Sequence, residues 1–419
     1  MDRVTCAGVV AAQVTLNGVI RRTPLVPSRA LTDRFGQPVY LKCENLQRAG
    51  SFKIRGAYTR MSRLTPDERD RGVVAASAGN HAQGVALAAK LLGMQARIYM
   101  PVGAPLPKLE ATLGYGADVE LTGHSVDDCI VEAAKYADRS GAVLIHPFDH
   151  PDVVAGQGTV GLEILEDLPD VGTVLVGTGG GGLLAGIATV LRERRPAARL
   201  IGVQAEGAAA YPPSLRFGAP QPLPSMTTMA DGVAVGCPGD IPFAIVQELV
   251  DGFVTVSEEE ISQAMLLLME RQKLVVEPAG AVSVAPLLTP GALNLERDAP
   301  LPGDSELLDE AAGPVVAVLS GGNVDPLLLL RLIRHGMAAA GRYLQLRVRT
   351  PDRPGSLAAL LSTLAATDAN VLEVEHARIG PALPVNDVEI AVWLETRGPD
   401  HCHRVLAELA DAGYDPQVE

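Results

Sequence analysis

Residues 174–183 read VLVGTGGGGL, and this stretch decides the fold that we predict for the first part of the chain. Val174–Val176 is a short apolar run typical of a buried β-strand, and Leu183–Arg194 has the spacing and charged end of a helix. Consecutive glycines between a strand and a helix let the backbone approach a phosphate closely and direct N–H groups at it. A merely flexible turn is the less favoured interpretation, because strand, turn and helix follow one another directly.

The same alternation extends outward over residues 38–335. Short aliphatic runs are separated by stretches with helical spacing, such as His81–Leu92 and Val126–Ser140. The other predicted strands are Val73–Ala76, Ala96–Met100, Val143–Ile145, Leu200–Val203 and Val315–Leu319. Several of these runs are apolar throughout, as expected for strands that are covered on both faces. The alternation therefore predicts an α/β fold of parallel sheets with flanking helices.

Two segments interrupt this pattern near its end. Residues 286–314 are rich in Pro, Gly and acidic side chains, which predicts an exposed excursion. A helical stretch, Pro326–Ala340, follows, and Gly341 marks a domain boundary. We expect no internal repeat before that glycine.

From Tyr343 onward the pattern indicates a different domain. LQLRVR alternates like a half-buried strand, DRPGSLAALLSTLAAT reads as a loop and a helix, and VLEVEHARI and VEIAVWLE alternate again. Residues 399–412 return to helical spacing, and a short last strand can follow. The order β-α-β-β-α(-β) predicts a separate α+β, ferredoxin-like domain over residues 343–419.

Composition limits the classes of function. The chain has 419 residues, so two or three domains are expected, and 47% hydrophobic with 20% charged residues is typical of a globular protein. The formal net charge of −14 disfavours nucleic acid and anionic membrane surfaces as partners, because both repel an acidic protein.

The sequence also predicts a cytoplasmic location without a membrane anchor. Apolar runs stay well short of the roughly 20 residues that span a bilayer, and the first residues do not have the full architecture of a signal peptide. The five cysteines are scattered without metal-ligand spacing, which suits reduced thiols.

Lys53 is the first candidate for chemistry. It lies in GSFKIRGA, residues 50–57, among apolar and small neighbours such as Phe52 and Ile54. Burial lowers the pKa of an amine and makes it usable as a nucleophile and a base. Taken alone, a lysine at the start of a helix is more often structural.

A second candidate is the turn Ser77–His81, which follows the strand Val73–Ala76 directly. Backbone N–H groups at such a strand–turn–helix junction can hold a carboxylate. In isolation the blander interpretation is preferred, with Asn80 as a helix cap and His81 as an ordinary surface residue.

A third candidate, Ser320–Asn323, follows another predicted strand. Ligands gather at the carboxyl ends of strands in α/β sheets, so the post-strand segments are expected to converge on one cleft with Lys53 nearby.

The glycine turn by itself does not identify which phosphate-bearing ligand it binds. Gly177, Gly179 and Gly182 also satisfy G-x-G-x-x-G, and Glu206 ends the next strand where a ribose-binding acid would lie. A nicotinamide-dependent amino-acid dehydrogenase is therefore an alternative, whereas a P-loop NTPase is excluded because no Lys-Ser or Lys-Thr follows the glycines.

Taken in order, the motifs resemble the serine/threonine dehydratase family of the tryptophan-synthase-β-like pyridoxal-phosphate superfamily, and within it the threonine ammonia-lyases. The resemblance covers about Arg21 to His335. It rests on RRTPL, KCENLQRAGSFKIRGA, SAGNHAQGVA, GTGGGGLLAG, TMADGVAV, VVEPAGA and SGGN. The tail resembles an ACT domain, chiefly in its Asp352–Gly355 loop.

This resemblance implies a fold and a domain plan. The catalytic domain, residues 1–340, would have two open twisted parallel sheets of pyridoxal-phosphate fold type II. A small subdomain of about residues 40–150 would be inserted in a large one formed by about 1–39 and 151–340. Residues 343–419 would form the ACT-like regulatory domain.

The resemblance also implies the site residues. The cofactor would be bound by Phe52, Lys53, Asn80, Gly179, Gly180, Gly181, Gly182, Leu183 and Ser320. The substrate carboxylate would be bound by Ser77, Ala78, Gly79, Asn80 and His81. The catalytic residues would be Lys53, Ser77 and Ser320.

Individual roles follow from the same likeness. Lys53 would carry pyridoxal 5'-phosphate as a Schiff base, and Asn80 would hydrogen-bond its phenolic oxygen. The glycine turn would hold the phosphate, and Ser320 would meet the pyridine nitrogen. Glu277 maps near the site without an assigned role, as does Asp231.

The implied reaction is dehydration and deamination of L-threonine to 2-oxobutanoate and ammonia, and of L-serine to pyruvate. We expect no bound metal, because the second acid that accompanies the position of Glu206 in related racemases is Pro212 here. Ala78 replaces the serine with which those racemases work on the second cofactor face, so we expect little racemisation.

The family also implies regulation and assembly. The expected effector is isoleucine or valine and the expected assembly a homo-oligomer, most simply a tetramer. Isoleucine biosynthesis and threonine catabolism both remain open as roles. A non-catalytic amino-acid sensor is a third interpretation, which the set of Lys53, Asn80 and Ser320 disfavours because each has a chemical task.

Overall fold

The computed structural model describes residues 3–288, 313–378 and 383–418. They form two compact units, Met1–Asp325 and Pro326–Glu419. The predicted exposed excursion lies outside the described residues over 289–312. Within the described part of the chain, no helix combines the length and apolar character that crossing a bilayer requires.

The strands are, in chain order, β1 Leu25–Pro27, β2 Val39–Lys42, β3 Val73–Ala76, β4 Ala96–Met100, β5 Asp118–Leu121, β6 Val143–Leu144, β7 Thr173–Gly177, β8 Arg199–Ala205, β9 Gly252–Val256, β10 Val315–Val318, β11 Tyr343–Pro351, β12 Asn370–Ala377, β13 Asp387–Glu395 and β14 Gln417–Val418. The α-helices are α1 Cys6–Leu16, α2 Arg29–Phe35, α3 Lys53–Ser62, α4 Pro66–Arg71, α5 Asn80–Leu92, α6 Leu106–Gly114, α7 Val126–Ser140, α8 Pro151–Asp167, α9 Gly182–Arg194, α10 Tyr211–Phe217, α11 Asp240–Leu249, α12 Glu258–Leu267, α13 Pro278–Ala281, α14 Pro326–Ala339, α15 Ser356–Ala366 and α16 Pro399–Asp411.

The first unit contains two sheets, as the alternating pattern predicts. The larger sheet has the order β1-β2-β10-β7-β8-β9, and every pairing in it is parallel except that of the edge strand β1 with β2. The smaller sheet, β5-β4-β3-β6, is parallel throughout. β3, β7 and β10 are buried along their whole length, because helices cover both faces.

The two sheets come from interleaved parts of the chain. β2 pairs with β10 in the larger sheet, so residues 39–42 belong there and not to the smaller subdomain, which we expected to begin at about residue 40. The strands of the smaller sheet lie between Val73 and Leu144. The strand at residues 39–42 is thus part of the larger sheet because it pairs with the buried strand β10.

Three helices of the first unit pack against one another at glycines. A Cβ added to Gly56 of α3 would lie 2.8 Å from Cγ1 of Val153, which belongs to α8. A Cβ on Gly158 of α8 would lie 2.7 Å from the carbonyl oxygen of Gly186 in α9. Any side chain at these positions would therefore separate the helices. This glycine packing joins the helix that begins at Lys53 to the helix that begins at Gly182.

The second unit has the predicted order β-α-β-β-α-β. Its antiparallel sheet has the order β12-β13-β11-β14. Alternate side chains of β11 are buried, as the LQLRVR pattern predicts, and they pack with Leu360 and Leu364 of α15. The helix α14 is grouped with this unit and contacts β11, whereas the sequence pattern placed it before the boundary at Gly341.

Candidate active site

One cavity of the first unit brings several predicted site residues together. It encloses about 410 Å³ of space between the protein atoms, part of which is open to solvent. Its lining includes Phe52, Lys53, the turn Gly179–Leu183 and Ser320. The turn Gly179–Leu183 follows β7, Ser320 follows β10, and Lys53 begins α3, so the fold gathers these residues from distant parts of the sequence.

Lys53 has the environment of a reactive amine. It begins α3, and its Nζ donates a hydrogen bond to the carbonyl oxygen of Pro147 at 3.1 Å. Burial lowers the pKa of Lys53 to about 8, although the negative charge of Glu277 opposes the shift. The Phe52 ring centroid lies 5.1 Å from Nζ. A substantial fraction of the amine is therefore neutral near physiological pH.

The glycine turn leaves room for an anion beside the backbone. Gly181 has a φ of 93°, in the region that favours glycine, and α9 begins at the next residue. A Cβ on Gly180 would overlap the ring of Phe148. The hydroxyl of Tyr211 donates to the carbonyl oxygen of Gly180 at 3.3 Å, which holds the turn from behind. The start of a long helix with such a turn is suited to a phosphate.

Gln157 is a cavity residue that sequence reasoning missed. It is buried in α8, and its Nε2 donates to the Pro147 carbonyl oxygen at 3.3 Å, the same oxygen that accepts from Lys53. Its Oε1 has no hydrogen-bond partner in the described part of the chain and lies 2.6 Å from where a Cβ on Gly182 would be. The only sequence signal is a polar residue in the small, apolar run VVAGQGTVGL.

The turn Ser77–His81 lies between β3 and α5, as predicted, but it is not part of the lining of this cavity. The Ser77 hydroxyl accepts a hydrogen bond from the Gly79 N–H at 3.1 Å. The His81 ring is buried, with Nε2 2.8 Å from the carbonyl oxygen of Ile145. Burial, together with the charge of Lys53, lowers the pKa of His81 to about 3, so the ring is neutral.

A charged pair lies beside this turn. Lys108, from α6, is buried and forms an ion pair with the exposed Asp231. A Cβ on Gly79 would lie 3.3 Å from Nζ of Lys108. A cation thus flanks the turn that we expect to bind a carboxylate. Nothing in the local sequence of Lys108 indicates this position, because it depends on how α6 packs.

Asn80 connects three of the motifs. Its Nδ2 donates to Oε1 of Glu277 at 2.5 Å, and its Oδ1 accepts from Nδ2 of Asn323 at 2.8 Å. Glu277 is buried, and this burial raises its pKa to about 7. The motifs SAGN, VVEPAGA and SGGN therefore meet through side chains.

Ser320 closes the cavity from the end of β10. Its hydroxyl donates to the carbonyl oxygen of Ala279 at 3.2 Å, and its carbonyl oxygen accepts from the N–H of Phe52 at 3.2 Å. Ser51 and Gly321 form an isolated β-bridge beside it. Ser320 and Lys53 are thereby held in one backbone framework.

These features fit pyridoxal 5'-phosphate. The turn Gly179–Leu183 suits a phosphate because side chains there would overlap Phe148 or Gln157. The Lys53 amine, whose hydrogen bond goes to a carbonyl oxygen, suits covalent attachment of an aldehyde. Oε1 of Gln157, which has no partner among the described residues, is available as a hydrogen-bond acceptor for a ligand in the cavity.

The chain is similar in sequence and in fold to known proteins. A family model described as pyridoxal-phosphate dependent enzyme matches residues 16–321. The chain is 45% identical over 395 residues to an L-threonine ammonia-lyase of Geobacter sulfurreducens, and the match covers 94% of both chains. It is 43% identical over 415 residues to that of Thermotoga maritima, with 99% of both covered. The processed form of threonine deaminase isoform 2 from Solanum lycopersicum superposes with a TM-score of 0.72 at 36% identity, covering 80% of this chain and 89% of that one.

Proposed function

The chain belongs to the pyridoxal-phosphate-dependent enzyme family, and from this premise we propose that it converts L-threonine to 2-oxobutanoate and ammonia. Relatives named L-threonine ammonia-lyase match nearly its whole length. The observation that carries the proposal is the Lys53 amine, with its pKa lowered to about 8, in one cavity with the glycine turn. A nicotinamide dehydrogenase would leave Lys53 without a task, and the family match favours the lyase.

Within this function Lys53 is assigned as the base. When bound, pyridoxal phosphate supplies a ring that withdraws electrons from the substrate α-carbon. The neutral Lys53 amine then takes the α-proton, and the same residue anchors the cofactor between turnovers. We assign the N–H groups of Gly179–Leu183 to the phosphate and those of Ser77–His81 to the substrate carboxylate.

Ser320 directs the outcome of the reaction. We assign the Ser320 hydroxyl to the pyridine nitrogen, where so weak an acid does not transfer its proton fully. Charge at the α-carbon is then less delocalised, which favours rapid expulsion of the β-hydroxyl as water over transamination. The resulting enamine hydrolyses to 2-oxobutanoate and ammonia, and L-serine would give pyruvate by the same steps.

The function is tested by turnover of purified, cofactor-loaded protein. We expect 2-oxobutanoate and ammonia to form in equal amounts from L-threonine, and pyruvate from L-serine. The protein should also show the visible absorbance of a lysine-bound cofactor without added nicotinamide nucleotide. Consumption of a nicotinamide nucleotide with either amino acid, and no such absorbance, would replace the lyase with the dehydrogenase.

We propose that the second unit is an ACT-like regulatory domain that binds isoleucine or valine. Its Asp352–Gly355 turn leads into α15, and Gly355 precedes that helix with a φ of 93°. The N–H groups at the start of this 11-residue helix suit an effector carboxylate, and the neighbouring sheet can bury an aliphatic side chain. We propose that the catalytic domain, predicted as residues 1–340, ends before α14, which belongs to the second unit, and that residues 343–419 form the regulatory domain.

We further propose a cytoplasmic homo-oligomer, most simply a tetramer, that serves isoleucine biosynthesis or threonine catabolism. The cysteines of the described residues are all free, which suits a reducing compartment. Titrating isoleucine and valine into the full-length protein should change the threonine saturation curve by a coupling free energy on the order of 1–3 kcal/mol. If neither amino acid moves the curve, residues 343–419 are an assembly element only. Light scattering at each point measures the assembly.

A further inference from the structure

Asn80 is held by partners on both ends of its amide. Asn323 donates to Oδ1 at 2.8 Å, and Nδ2 donates to Glu277 at 2.5 Å. Asn323 also donates to the carbonyl oxygen of Ala49 at 2.8 Å, so its own amide cannot be exchanged end for end without losing that bond. These residues form a hydrogen-bond series in which Asn323 donates to Asn80 and Asn80 donates to Glu277. The direction of donation is fixed by the carbonyl oxygen of Ala49, which accepts from Asn323.

Glu277, the last acceptor of this hydrogen-bond series, favours the same direction of donation. Glu277 is 1% exposed, and in either charge state it keeps an oxygen that accepts from Asn80. Its second oxygen, Oε2, is buried and has no hydrogen-bond partner among the described residues, which is costly in a folded protein. A buried, half-satisfied carboxyl in contact with a site residue indicates a task beyond stability.

The space around Nδ2 of Asn80 is kept open by glycine. A Cβ on Gly321 would lie 3.0 Å from this nitrogen, and a Cβ on Gly232, a residue of the cavity lining, would lie 4.0 Å from it. One N–H of the amide is used by Glu277. The second N–H has no acceptor among the described residues and can donate to a ligand.

We infer that Glu277 and Asn323 are positioning residues that fix the Asn80 amide with Nδ2 toward the cofactor's phenolic oxygen. Neither needs to touch the cofactor, since each acts through Asn80. The inference rests on the proposed function, because it assumes that pyridoxal phosphate is the ligand that Asn80 meets. An amide turned the other way would present Oδ1 to that oxygen and would repel it.

A double-mutant cycle on the full-length protein tests this coupling. Asn80→Ala should weaken pyridoxal phosphate binding by roughly 10- to 100-fold, the value of one hydrogen bond to a charged group. Glu277→Leu should give a loss of similar size and the same change in the pH midpoint of the cofactor's visible absorbance. The double variant should be no worse than Asn80→Ala alone, because both substitutions remove one interaction. Binding is followed by titrating pyridoxal phosphate into the apo protein.

Two further variants separate positioning from damage to the fold. Glu277→Gln keeps an acceptor oxygen, so its cofactor affinity should stay within about threefold of the wild type. Ser283→Ala removes a buried hydrogen bond to the Val318 carbonyl oxygen, which is not part of the hydrogen-bond series through Asn80. This variant should lower the unfolding temperature without changing the absorbance. Additive losses in the cycle, or a Glu277→Gln loss equal to that of Glu277→Leu, would overturn the inference alone. If Asn80→Ala leaves affinity and absorbance unchanged, the cofactor assignment of Asn80 fails as well.

Discussion

Two lysines of the first unit, the buried Lys42 and the half-buried Lys53, differ in what surrounds the charge. In the buried charge cluster, formed by Lys42, Glu44, Arg55 and Glu163, two cations face two carboxylates. Nζ of Lys42 lies 2.6 Å from Oε2 of Glu163, and Arg55 bonds both acids at 2.7–2.9 Å. Although burial opposes it, these cations lower the pKa of Glu163. The cluster is neutral as a whole.

In the cavity, Lys53 lacks such a partner. Among the described residues its amine has one hydrogen bond, to the carbonyl oxygen of Pro147, and no ion pair. Burial therefore lowers the pKa of Lys53, and the negative charge of Glu277 offsets only part of this shift. What distinguishes the two sites is that the Lys42 ammonium contacts a carboxylate directly, whereas the Lys53 amine contacts none among the described residues.

The largest expected effect comes from removing the unpaired amine. Lys53→Ala should reduce threonine turnover by roughly 10⁴-fold or more, because both the base and the covalent anchor are lost. Steady-state formation of 2-oxobutanoate measures this. In the wild type, borohydride reduction followed by peptide mapping should find the cofactor on Lys53. Its recovery on Lys42 would reverse the distinction between the two lysines.

The next effect comes from unbalancing the charge cluster. Arg55→Met leaves two buried carboxylates with one cation, which should lower the free energy of unfolding by about 3–5 kcal/mol. Urea unfolding of the apo protein measures it. The control is Arg3→Met, which removes the exposed ion pair with Glu248 and should cost less than about 1 kcal/mol. Equal losses in the two variants would show that the cluster is not special.

A smaller effect, set by pH, sharpens the same comparison. Only the neutral amine attacks the cofactor aldehyde, and with a pKa of about 8 roughly a tenth of Lys53 is neutral at pH 7 and roughly nine tenths at pH 9. Capture of pyridoxal phosphate by the apo protein should therefore become about tenfold faster over this range. Stopped-flow absorbance at saturating cofactor follows the reaction. A rate that keeps rising above pH 10 would mean that the Lys53 amine has an ordinary pKa.

The smallest effect concerns whether Lys53 is the only proton carrier in the cleft. Ala78 has no proton to give or take, so the wild type should form L-serine-derived pyruvate with little D-serine. Ala78→Ser should raise D-serine formation by a measurable but small fraction of turnover, which chiral chromatography detects. Abundant D-serine from the wild type would reveal a second acid–base group.

The fold was predictable where strands are buried on both faces. VVAA, VLV and VVAV are continuous aliphatic runs and are strands β3, β7 and β10 of the structure. β5 and β9 escaped prediction, because their side chains are partly exposed and their sequences, DVEL and GFVTV, lack a clear apolar run. An edge strand carries less of the pattern on which such predictions depend.

The candidate site was predictable where a local motif carries the chemistry. Lys53, the glycine turn and Ser320 stand out in sequence, and in the structure they line one cavity. Gln157 and Lys108 could not be found this way, because their positions depend on how α8 and α6 pack. Likewise, the hydrogen bonds that give Glu277 a task join motifs far apart in the chain.

The glycine packing of α3, α8 and α9 has a consequence for protein engineering. Replacing a helical glycine with alanine is a common route to heat-stable variants, since it restricts the unfolded chain by about 0.4–1 kcal/mol. At Gly186 the added methyl would lie 2.5 Å from the carbonyl oxygen of Val154. The helices would have to separate, which would move the amine of Lys53 away from the phosphate-binding turn. A thermostabilisation library should therefore hold Gly56, Gly158 and Gly186 constant, however favourable alanine looks in a helix.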